Sequence, residues 1–181
     1  MSIISADNLT KRYGRTTAVD GISFDIKQGE IVGFLGPNGA GKTTTMRILS
    51  CFLQATGGTV KIAGMDITRD SVKVRGRIGY LPENSPVYHD MRVVEYLRYR
   101  GALKGLLGRK LRDRVEEVVL DCGLSEKKNK IIATLSKGYI QRVGLADSLI
   151  SQPDVLILDE PTIGLDPNQI RNIRSLIRNF A

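Results

Sequence analysis

Eight residues, Gly36-Pro37-Asn38-Gly39-Ala40-Gly41-Lys42-Thr43, satisfy the pattern G-x-x-x-x-G-K-[ST] at every defined position. These residue types suit one task, holding a polyphosphate. Glycines let successive main-chain N–H groups curl toward anionic oxygens, and a helix opening at the end of the loop turns its positive end the same way. In that pattern Lys42 reaches the β- and γ-phosphates, and the Thr43 hydroxyl serves Mg²⁺. The dinucleotide pattern G-x-G-x-x-G fails, because Asn38 stands where its second glycine belongs. A second candidate lies far along the chain, in Val155-Leu156-Ile157-Leu158-Asp159-Glu160. Its apolar run predicts a buried strand, and two carboxylates emerge at the C-terminal end, where open α/β sheets bind ligands. Asp159 suits Mg²⁺ held through water. Glu160 suits the orientation or deprotonation of an attacking water.

The elements needed to position these groups are written around them. Ile22, Phe24 and Ile26 alternate with polar residues, the period of a half-buried strand. Gln28-Gly29-Glu30 supplies a turn, residues 31–35 read as a buried strand, and helical spacing follows the glycine loop from Thr44 to Leu49. Residues 59–62 and 78–81 predict two more strands, the second stopped by Pro82. Over 93–120 the pattern turns helical. Leu111, Val115, Val118 and Val119 fall on one face, with Arg112, Asp113, Glu116 and Glu117 between them. Residues 136–150 predict another amphipathic helix, and 168–180 a final one. Strands thus flank a mainly helical middle, 84–152, which reads as an α/β core carrying an inserted helical subdomain.

Composition narrows the class. The chain has 181 residues, 41% of them hydrophobic and 25% charged, which suits a globular fold with a real core rather than a disordered chain. No apolar run is long enough to cross a bilayer, and no basic segment precedes an apolar block at the N-terminus. Cys51 and Cys122 lie far apart, outside any CxxC pattern, and read as reduced core thiols. The net charge of +8 has no long basic run behind it. Arg98, Arg100, Lys104, Arg109, Lys110, Arg112, Arg114, Lys127, Lys128 and Lys130 make the helical middle basic. That suits either anionic lipid headgroups beside a membrane subunit or a solvated helix face. Tyr96 and Tyr99 read as core residues rather than a stacking platform for bases.

Beyond the two phosphate elements, the chain resembles the nucleotide-binding domains of ATP-binding-cassette (ABC) proteins. Leu135-Ser136-Lys137-Gly138-Tyr139-Ile140-Gln141-Arg142 resembles their signature motif, and Gly164-Leu165-Asp166-Pro167 their D-loop. Tyr80-Leu81-Pro82-Glu83 lies where the family has its Q-loop, and Tyr13 at the position of the adenine-stacking aromatic. The resemblance runs from about Ile4 to Phe180. It implies a P-loop NTPase core with an antiparallel β subdomain and an inserted α-helical subdomain: 1–83 and 153–181 form the core and 84–152 the helical part. It implies Mg²⁺-dependent ATP hydrolysis, with catalysis by Glu160 and Lys42. ATP would be bound by Tyr13, by Gly36, Pro37, Asn38, Gly39, Ala40, Gly41, Lys42, Thr43 and Thr44, and by Ser136, Gly138 and Asp166. The metal would be served by Thr43, Glu83 and Asp159. The resemblance also implies head-to-tail pairing with a second such domain, homo- or heterodimeric, so that Ser136 and Gly138 meet the γ-phosphate on the partner's loop. Transmembrane permease subunits would hold the pair at the cytoplasmic face of the membrane, with no nucleic acid as partner.

Within the family, the Leu81-Pro82-Glu83-Asn84 stretch, the Lys-Gly-Tyr signature and Pro167-Asn168-Gln169 are most similar to ATPase subunits of bacterial ABC-2-type and gliding-motility exporters. Lys137 and Tyr139 depart from the usual Leu-Ser-Gly-Gly-Gln, and Glu83 replaces the usual glutamine. The family's switch histidine and C-terminal strands fall beyond Ala181, so the resemblance implies nucleotide binding with impaired hydrolysis. His89, the lone histidine, reads as a surface residue. Two other readings stay open: a soluble ABC protein acting on ribosomes or DNA, and a non-hydrolytic regulatory subunit.

Overall fold

The computed structural model describes residues 2–179, of which Asn179 only in its backbone. Two compact units are present, one ending at Ile78 and the other beginning at Gly79. In the first, β1 (Ser2–Tyr13) and β2 (Thr16–Lys27) form an antiparallel pair, and β3 (Gly57–Ile62) and β4 (Met65–Asp66) extend it in the order β2-β1-β3-β4. Ile4, Ala6 and Leu9 of β1 are buried beside Val60 and Ile62 of β3, with Ile48 and Leu49 of α1 (Lys42–Leu49). Alternation along β2 is as expected: Ile22, Phe24 and Ile26 are more enclosed than their exposed neighbours. A short α2 (Ser71–Gly76) completes the unit.

Residues 31–35 depart from the expected buried strand. The segment has no strand pairing, and Ile31, Val32 and Leu35 are exposed, Leu35 to 95%. A run buried on both faces needs neighbours on both edges, and among the described residues none pairs with it. Phe34 alone turns inward, its ring edge-on to Phe24 with centroids 5.4 Å apart.

The second unit opens with β5 (Ile78–Leu81), which pairs with β6 (Val155–Leu158), and between them come α3 (Val93–Leu103), α4 (Gly108–Asp121) and α5 (Lys137–Leu149). α6 (Pro167–Asn179) follows β6. The 93–120 pattern is therefore two helices, because Gly105 and Gly108 interrupt it. Val115, Val118 and Val119 bury their face as the spacing predicts. α5 is not amphipathic in place: from Val143 to Ile150 every residue is buried, so it is the centre of the unit rather than a surface helix. Gly144 lets that centre close, since a Cβ there would lie 2.7 Å from Leu81 Cδ1 and 2.4 Å from Ser85 Oγ.

Inside this apolar centre sits one charge. Asp147 accepts from Tyr96 Oη at 3.2 Å and from Arg100 Nε at 3.0 Å, and pairs with Lys104 Nζ at 3.1 Å. Burial, and then the Asp147 charge, push the Tyr96 phenol well above its ordinary pKa. Arg114 donates to the carbonyls of Leu149 and Ile150, closing the C-terminal end of α5. Replacing Asp147 by alanine strips a two-cation site of its anion. Both cations retain some contact with water, so the expected loss is about 2–3 kcal/mol, in line with bonds to charged groups. A urea melt checks this, and an unchanged midpoint would refute it. Tyr96 is core as expected, but Tyr99 is not: it is 42% exposed and meets only the edge of Tyr88. Cys122 is buried and its thiol pushed up to about 12 by burial, while Cys51 is half-buried; both are free.

Candidate functional site

The glycine loop belongs to the first unit. Residues 36–40 are exposed, and Gly41, with φ of 85°, hands the chain to α1 at Lys42. A Cβ on Gly41 would lie 2.3 Å from the Ala18 carbonyl oxygen and 3.2 Å from Val19 Cγ2. Only glycine lets the loop lie against β2 in this way. Gly41→Ala is expected to cost about 1–3 kcal/mol through left-handed strain and overpacking. Thermal denaturation reads this, and a variant melting with the parent would overturn the contact.

Lys42 is half-buried, and its ammonium donates to the carbonyls of Gly36 and Pro37, each at 2.8 Å. A cation thus sits across the mouth of a loop whose backbone can turn donors to an anion. The buried Thr45 anchors the helix beneath, its N–H and its hydroxyl both donating to Gly41 O at 2.8 and 2.9 Å. Beside the loop opens a hollow of about 590 Å³, walled by Val19, Ile22, Phe24, Phe34, Ala40 and Lys42 among others. Tyr13 does not line this hollow. Its ring is half exposed at the end of β1, with Lys11 Nζ 5.1 Å over one face. The other face is the one available to an aromatic base.

The carboxylates belong to the second unit. β6 buries Val155 and Ile157 and delivers Asp159, 3% exposed, whose N–H donates to Leu81 O at 2.9 Å. Glu160 follows, exposed and with φ of 49°, a left-handed backbone that a glutamate adopts only at a cost. Glu83 is exposed just after β5, and His89 is exposed as expected. Among the described residues no group of three His, Cys, Asp or Glu side chains could cage a metal. The exposed oxygens of Glu83 and Glu160 and the carboxylate of Asp159 are hard donors, the kind that serve Mg²⁺ beside phosphates and waters.

The signature-like segment is also in the second unit. Ser136 precedes α5 in extended conformation, at its N-cap. Two contacts there were not foreseen. A Cβ on Gly138 would lie 2.8 Å from the Gln169 amide oxygen, and one on Gly164 would lie 2.3 Å from Lys137 Nζ. The start of α5 therefore lies against the turn before α6 and its first helical residues through two long polar side chains, Lys137 over Gly164 and Gln169 over Gly138. Asp166 caps α6, its carboxylate accepting from the N–H groups of Asn168 and Gln169, each at 2.9 Å. Sequence held a signal for this, an Asp-Pro step opening a helix, whereas the Lys137–Gly164 contact had none.

The bacitracin transport ATP-binding protein of Bacillus licheniformis is 39% identical over 99% of this chain and 58% of its own. The linearmycin resistance ATP-binding protein of Bacillus subtilis is 35% identical over 98% of this chain and 57% of its own. The chain thus spans a little over half the length of these relatives. Among solved structures, cbiO1 of Clostridium perfringens, part of an ABC transporter complex, superposes with a TM-score of 0.88 at 31% identity, covering 98% of this chain and 73% of its own. A dimeric ATP-binding cassette in a post-hydrolysis state, bound to ADP and phosphate, superposes at 0.85 with 27% identity, covering 96% and 81%. The family model for ABC transporters matches residues 19–163, and the chain belongs to that family.

Proposed function

We propose that this chain binds Mg²⁺-ATP and hydrolyses it as the ATPase part of an ABC exporter. The observation that carries the reading is the glycine loop with the Lys42 ammonium across its mouth, in a chain of this family. Lys42 exchanges its two carbonyl partners for phosphate oxygens, and the loop amides hold the rest of the anion. Mg²⁺ would be served by the Thr43 hydroxyl of the first unit and by Asp159 and Glu83 of the second, and when bound it would neutralise charge on the phosphates. The open face of Tyr13 takes the base. Glu160 positions the attacking water and accepts its proton.

The cassette that superposes at 0.85 is a dimer. We extend this to the present chain: Ser136 and Gly138, with the N-terminal end of α5, face the triphosphate bound by a second copy or a homologous partner. Relatives named for bacitracin transport and linearmycin resistance support export through separate permease subunits, with the ATPase held at the cytoplasmic face of the membrane. No helix among the described residues is long and apolar enough to cross a membrane. The test is nucleotide binding by calorimetry with and without Mg²⁺. Micromolar or tighter binding that weakens on chelation supports the reading, and binding indifferent to the metal refutes its metal arm.

A further inference from the structure

From Tyr96 to Arg112 the sequence carries six cations and no acidic residue. Arg100 and Lys104 are turned inward onto Asp147. Arg98, Arg109, Lys110 and Arg112 are left exposed around the turn that joins α3 to α4. Asp113, itself exposed, is shared between Arg109 at 3.3 Å and Arg112 at 4.0 Å, so the neighbourhood stays positive.

The turn between these cations is apolar at its tip. Gly105, with φ of 86°, ends α3: its N–H donates to Ala102 O, and that of Leu106 to Gly101 O. This closure rolls Leu106 onto the core and leaves its neighbours outside, Leu103 62% and Leu107 73% exposed. Nothing lies within 4 Å of a Cβ built on Gly105 or Gly108, so the turn is open on the side of its two glycines while Leu106 holds the other side to the core. Two exposed leucines, one ending α3 and one in the turn, with four exposed cations on the adjoining helices, match the two demands of an anionic bilayer surface. The cations meet lipid phosphates, and the leucines enter the boundary between headgroups and acyl chains.

We propose that the α3–α4 turn is a membrane-surface contact that docks on anionic lipid. The test is flotation of the purified chain with vesicles of phosphatidylcholine, with and without phosphatidylglycerol. Binding should require the anionic lipid and fall with salt. Arg109→Gln with Lys110→Gln should lower partition about fivefold for each cation removed, and Leu103→Ser with Leu107→Ser should also release the chain. All four positions are exposed, so melting temperatures should hold. Neutralising Arg171 and Arg174, exposed on α6, should leave partition nearly unchanged; an equal loss there would mean net charge alone and would overturn the site. Loss from the arginine and lysine changes with none from the leucine changes would mean a general polyanion surface, again against the proposal. Binding only to vesicles that contain a permease protein would assign the turn to a protein partner and also overturn it. Lys42→Ala should leave vesicle binding intact, so the failure of this proposal and the failure of the nucleotide reading are separate results.

Discussion

Lys42→Ala is expected to abolish retention of ATP. The ammonium now makes two hydrogen bonds of 2.8 Å to Gly36 and Pro37, and it exchanges these neutral acceptors for phosphate oxygens when nucleotide arrives. Charge-assisted bonds contribute about 1.5–3 kcal/mol each. Losing two of them weakens binding by roughly two to four orders of magnitude. The fold should survive, because the bonds broken lie in an exposed loop and the Thr45 anchor under the helix stays. Calorimetric titration reads the loss directly. Affinity within threefold of the parent would remove Lys42 from the site and leave the loop as an ordinary glycine turn.

Glu160→Gln should separate binding from turnover. The amide is isosteric and cannot accept the proton of the attacking water, so hydrolysis should fall about 10²–10⁴-fold while ATP affinity is held. The backbone at this position offers a control. A φ of 49° costs a glutamate roughly 1–2 kcal/mol, and strain of this kind persists where a site requires it. Glu160→Gly should therefore raise the melting temperature while losing the same turnover, whereas Glu160→Gln should lose turnover at unchanged stability. Equal hydrolysis in the parent and Glu160→Gln would make the chain a binding-only subunit. Equal melting temperatures in all three proteins would show that the left-handed backbone carries no strain.

Local chemistry made much of this legible in the sequence. The glycine loop is readable because Gly39 and Gly41 take left-handed backbone and Gly41 is pressed against the Ala18 carbonyl. The valine face of α4 and the strand 155–158 are readable because their burial follows a single period. Residues 31–35 misled for the opposite reason: an apolar run states a preference for burial but not whether neighbours are there to provide it. α5 misled similarly, since its polar Gln141, Asp147 and Ser148 suggested a wet face, yet all three are buried. Asp147 is met there by cations 43 to 47 residues earlier in the chain, a pairing no local pattern contains. The departures Lys137 and Tyr139 were visible as letters. That Lys137 lies over Gly164, and that Lys127 and Arg142 flank the Tyr139 ring at 5.5 and 5.7 Å, required coordinates.

The clamp on Asp147 has a mechanical consequence. α5 starts just after the signature-like Ser136 and runs about 15 Å, at 1.5 Å per residue, to Asp147, gripped by Arg100 and Lys104, and about 20 Å to the end held by Arg114. Its far end is fastened to α3 through Arg100, to the residue that ends α3 through Lys104, and to α4 through Arg114. A tilt imposed at Gly138 is therefore expected to carry α3 and α4 along, through the bonds at Asp147, Leu149 and Ile150.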